Sequence, residues 1–85
     1  MITALQLRAA RAMLGIDQRQ LAALAGVSLP TVQRMEAAPC AVHSVSGTLA
    51  KVVGALDTAG IELIGNDQPS RGRGRGVRLK AATDA

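Results

Sequence analysis

Glycine and helix-capping signals divide the first 60 residues of this 85-residue chain into short pieces, and that punctuation limits what it can fold into. Thr3 followed three residues later by Gln6, and Asp17 followed by Gln20, both have the spacing of a capping box, in which each partner satisfies the other's main-chain amide. The first predicts a helix over roughly 4–14, with Leu7, Ala10 and Leu14 at helical spacing and Gly15 as its stop. The second predicts a helix over "QRQLAALA", with Leu21, Ala22 and either Leu24 or Ala25 turned inward and Gly26 as the terminator.

Ser28 is the next N-cap. Pro30 falls in the first turn it opens, where a missing amide hydrogen costs nothing, and Val32 and Met35 supply the buried stripe of a third helix over about 29–37. "AAPCAVHS" reads as a loop. A fourth helix, approximately 46–59, follows from Ser44 or Ser46 as cap, Leu49, Val52, Val53 and Leu56 as apolar positions, and Gly60 as terminator.

Beyond Gly60 the period changes. "IELI" at 61–64 and "VRLK" at 77–80 alternate, which predicts a short β extension, formed as a hairpin around "GNDQPSRGRGRG" or paired with another chain. The last five residues, "AATDA", read as a frayed end. Two regions result: a helical domain at 1–60, and an extension at 61–85 that carries a basic Arg/Gly loop and is available for dimerisation.

Composition removes several functions. The chain has no Phe, Tyr or Trp, so it lacks the stacking platforms of a single-strand binder. With one Cys and one His, Cys40 and His43, it can form neither an intrachain disulfide nor a structural metal site, and both read as loop residues. No base with an orienting partner and no phosphate loop ending in Gly-Lys-Ser/Thr is present, so neither an enzyme nor a cofactor is expected. Without a leader pattern or a long apolar run, a cytoplasmic protein with no membrane association is expected. The net charge of +4 is uneven: residues 1–65 carry +1, and residues 66–85 carry +3 through Arg71, Arg73, Arg75, Arg78 and Lys80. Such a tail favours a polyanionic partner without specifying a sequence.

Residues 18–36, "QRQLAALAGVSLPTVQRME", carry the most specific signal: two short helices, a glycine-containing turn and a serine cap form a helix-turn-helix pattern. Ala22 is small where the helices cross, and Val27, Val32 and Met35 fix the second helix against the first helix of the chain. With that second helix in a major groove, Gln18 and Ser28 lie near a phosphate backbone.

The stretch resembles the lambda/434-type (Xre-like, Cro/C1) family of bacterial and phage transcriptional regulators, particularly its short members. The resemblance implies a mainly α, four-helix, lambda-repressor-like domain that binds double-stranded DNA. It further implies that Gln18 and Ser28 touch phosphate, that Leu29, Pro30, Gln33 and Arg34 face base edges, and that Arg11 pairs with Glu36 to tie the first helix to the recognition helix. Leu29 and Pro30 depart from the glutamines frequent in the family, leaving Arg34 as the best candidate for a bidentate guanine contact. Arg71, Arg73 and Arg75 are either accessory DNA contacts or a solvating loop.

The function expected is sequence-specific regulation of transcription, as a repressor in the commoner case, by a homodimer on a pseudo-palindromic operator. Two alternatives stand beside it. One is the antitoxin half of a toxin–antitoxin pair, with a toxin or other small protein as partner; the other is a protein–protein adaptor that keeps the helical scaffold.

Overall fold

The computed structural model describes residues 2–38, 47–65 and 68–80. Four α-helices follow one another: α1 (Ala4–Leu14), α2 (Gln18–Ala25), α3 (Leu29–Ala37) and α4 (Thr48–Thr58). Both capping boxes form. The Gln6 amide donates to Thr3 Oγ1 at 3.2 Å while Gln6 Oε1 accepts from the Thr3 amide at 2.9 Å. The Gln20 amide donates to Asp17 Oδ1 at 2.7 Å, and Gln20 Oε1 accepts from the Asp17 amide at 2.9 Å. Each box satisfies amides that the first turn of a helix leaves without a partner.

The turn between α2 and α3 is closed by main-chain bonds in the Schellman pattern. Gly26, at φ 69°, donates to the Ala23 carbonyl at 3.3 Å, and Val27 donates to the Ala22 carbonyl at 3.0 Å. The left-handed conformation that reverses the chain here is one a residue with a Cβ adopts only under strain. Three residues therefore suffice to turn α2 into α3, with Ser28 capping the second helix.

The core is aliphatic and made largely of small side chains. Leu7, Leu21, Val32, Val52 and Leu56 are fully buried, one or more from every helix, and Ala4, Ala10, Ala22, Ala25 and Met35 close the space around them. Helix α2 packs against both α3 and α4, while α1 packs against α3. Of the two alternatives in α2, Ala25 is the buried residue and Leu24 lies at the surface. The larger side chain is turned away because α2 has helices on two sides, and an alanine lets them approach closely.

Two sequence expectations are revised. Helix α4 begins at Thr48 and its N-cap is Gly47, at φ 73° and without a side-chain cap bond. Ser44 and Ser46, expected as caps, lie outside the described residues, as do Cys40, His43 and the terminal "AATDA". No β-strand forms among the described residues. Ile61 and Leu63 instead pack as extended coil against the helical core, and the Ile64 carbonyl accepts from Gln6 Nε2 at 2.7 Å. Alternation placed one side of 61–64 inward, as a strand would, but the surface it found belongs to helices. Val77 and Leu79 are exposed, since a two-stranded ribbon gains little unless both strands bury a face.

Candidate nucleic-acid interface

Helix α3 has two unlike faces. Val32, Met35 and Glu36 are buried, whereas Pro30, Gln33 and Arg34 are exposed and Leu29 and Thr31 are half-buried. The amphipathic spacing that docks the helix therefore leaves the residues around Pro30, Gln33 and Arg34 on its outer side. At its start the Thr31 amide donates to Ser28 Oγ at 3.3 Å, and Pro30 occupies the first turn.

Thr31 was not singled out in the sequence, yet it links two residues that were. Its Oγ1 lies 2.7 Å from Ser28 Oγ and accepts from Arg34 Nη2 at 3.3 Å. Ser28, Thr31 and Arg34 are three residues apart in succession, the spacing that places side chains on one helical edge, so the signal was present in the sequence.

Below this surface lies a polar cluster inside an otherwise apolar interface. Glu36, only 4% exposed, accepts two bonds from Arg11: Nε to Oε2 at 2.6 Å and Nη2 to Oε1 at 2.7 Å. Arg11 Nη1 also reaches the Ile16 carbonyl at 3.2 Å, and Gln18 Nε2 donates to Glu36 Oε1 at 3.1 Å. Hydrogen bonding to Glu36 raises the Arg11 guanidinium above its ordinary value, against the opposing effect of burial. The bidentate fork fixes a direction as well as a distance. Through these bonds Arg11 of α1 and Gln18, the first residue of α2, converge on one carboxylate of α3, and Arg11 also ties in the turn after α1. Gln18 is thus bound into the scaffold at the edge of the α3 surface.

The basic extension is held at one point. Glu62 accepts from Ser70 Oγ at 2.7 Å and from the amides of Arg71 at 2.8 Å and Gly72 at 3.2 Å. These bonds, led by the Arg71 amide, keep the Glu62 carboxyl below the usual carboxylate range. Arg78 donates to the Gln68 carbonyl. Residues 68–80 are exposed throughout, including Arg71, Arg73 and Arg75.

The spacing, the three-residue turn and the two-faced second helix agree with a family-level comparison: residues 7–39 match the family model described as helix-turn-helix. Helices α2 and α3 with the turn between them form a helix-turn-helix motif. The match runs from within α1 to just past the end of α3, less than half of the chain. A search of curated proteins and one of solved structures returned no match. Among the described residues no helix is long and apolar enough to cross a membrane, and no group of three His, Cys, Asp or Glu side chains is arranged to hold a metal ion.

Proposed function

We propose that this helix-turn-helix protein regulates transcription by binding a specific double-stranded DNA sequence as a homodimer, with α3 in the major groove. The observation that carries this reading is the outer face of α3, where Arg34 and Gln33 stand exposed beside Pro30 while the opposite face is locked into the core. Arg34 is the residue we assign to a guanine, with Gln33 and the apolar Leu29 and Pro30 contacting neighbouring base edges. A bidentate arginine contact discriminates by about 1–3 kcal/mol.

Hydroxyl geometry supports a phosphate role for Ser28. Either hydroxyl of the Ser28–Thr31 pair can donate to the other; with Thr31 as the donor, Ser28 Oγ accepts two bonds and keeps its own proton for a phosphate. Gln18 uses one amide hydrogen on Glu36 and retains a second for phosphate. Arg71, Arg73 and Arg75 add sequence-independent affinity from an exposed segment. A single such unit reads few base pairs, and a two-fold pair engages successive major grooves about 34 Å apart.

Selection of duplexes from a random DNA pool by the full-length protein, followed by sequencing, tests the reading. Enrichment of a two-fold symmetric motif with half-sites one helical turn apart is expected. A folded protein that enriches nothing would refute it.

A further inference from the structure

We propose that residues 77–80 form an exchanged arm, which docks its Val77 and Leu79 into an apolar groove on α4 of a second copy of this chain. The inference rests on the homodimer reading above and specifies the surface that builds the dimer.

The groove is about 410 Å³ in volume. Ala50, Val53 and Gly54 line it from α4, and Ile61 and Leu63 from the segment that follows. Gly54 is the informative residue. It sits inside an 11-residue helix, where glycine costs about 1 kcal/mol relative to alanine. Its φ is not in the left-handed region, and a Cβ built on it would meet nothing within 4 Å among the described residues. Among the described residues, neither the helix nor its packing accounts for a glycine there. The close approach of a group from outside the chain does, since the missing side chain opens the groove to its floor.

The arm supplies the complementary half. Val77 is 81% exposed and Leu79 87%, the two most exposed large apolar side chains among the described residues. They alternate with Arg78 and Lys80, so an extended arm presents an apolar edge and a basic edge. The groove's own charged residues are Asp57 and Glu62, both acidic. Apolar edge to apolar floor and basic edge to acidic rim is one self-consistent docking, whereas an acidic or purely polar segment would meet like charge or lose hydration.

The partner is a second copy because the chain's own arm is anchored next to the groove yet leaves it empty. Glu62 holds Gly72 at the groove rim, and the five residues from Gly72 to Val77 reach at most about 17 Å. That length is ample for the arm to fold back onto its own groove, but Val77 and Leu79 remain in solvent. The proposed dimer has a two-fold axis that sets the two grooves facing each other within the same reach. Each arm then crosses to the other copy, giving two equivalent contacts from one sequence element.

Sedimentation equilibrium of the full chain without DNA, alongside Gly54→Leu and Leu79→Asp, tests the proposal. Neither position contributes to the folded core, so far-UV circular dichroism should show unchanged helix content. We expect a wild-type dimer whose dissociation constant rises at least tenfold in each variant. In a Cys40→Ser background, oxidising a mixture of Val53→Cys and Leu79→Cys chains should yield a disulfide-linked heterodimer. A dimer weakened by neither variant overturns the arm exchange while leaving a dimeric DNA reader intact. A wild-type chain that stays monomeric across the micromolar range overturns it together with the dimeric reading. A disulfide formed only within single chains carrying both cysteines also overturns it, in favour of an arm that folds back. Loss of DNA selection with normal dimerisation would sink the functional reading alone.

Discussion

Replacing Arg11 with methionine isolates the energetics of the buried ion pair. The substitution keeps much of the aliphatic stem but leaves the Glu36 carboxylate, 4% exposed, with only the 3.1 Å bond from Gln18. Breaking a buried pair by removing one member costs about 3–5 kcal/mol, because the remaining charge stays desolvated. The Arg11 side chain is 19% exposed and water can enter where it stood, so the lower end, about 3 kcal/mol, is the expected loss. A domain of this size is stable by roughly 5–10 kcal/mol, and each kcal/mol shifts its midpoint by about 4–8 °C. A fall in Tm of about 12–24 °C should follow in thermal melts monitored at 222 nm. The Arg11→Met, Glu36→Leu double variant removes both charges and fills the space with apolar atoms. It should recover most of that loss, leaving only the unpaired Ile16 carbonyl and Gln18 amide to find water. A single variant that melts within about 4 °C of wild type would refute the reasoning, because that shift is about 1 kcal/mol or less. A double variant no more stable than the single would refute it too, because the cost would then lie in lost packing.

Two further perturbations probe the surface. Arg34→Ala should relax preference at one base position of the selected site by about 1–3 kcal/mol, measured as the ratio of specific to nonspecific binding; an equal fall in both affinities would reassign Arg34 to phosphate. Lowering pH should release the anchor at Glu62. Because its folded-state carboxyl is held below the ordinary range, its contribution is complete above that range and disappears as pH falls through the lowered value. The amide resonances of Arg71 and Gly72 should therefore shift together as pH falls below the ordinary carboxylate range, and the shift should be absent in Glu62→Gln. Persistence of the same titration in that variant would assign it to another group.

Much of the helical part was legible because its signals are local. A capping box involves residues three apart, and a terminating glycine needs only its own backbone freedom, so the bounds of α1, α2 and α3 could be read without knowing what they pack against. Helix α4 was less sharply bounded because its N-cap, Gly47, has no side chain to read. The functional surface was half legible. Spacing placed Val32 and Met35 inward and the family resemblance put Gln33 and Arg34 on the outer side, but the position of Gln18 depends on Glu36, 18 residues away in the chain.

What the sequence by itself determined is therefore the set of helices, their order, and the turn that joins α2 to α3, all governed by interactions over one or two turns of chain. Tertiary structure decided matters that periodicity cannot rank. It buried Ala25 and left Leu24 in solvent, because α2 is flanked by two helices and only the small side chain lets both approach. It also drew residues 61–64 onto helices as extended coil. An alternating pattern states that one side is apolar, but whether that side meets a strand or a helical core depends on where distant residues have already folded.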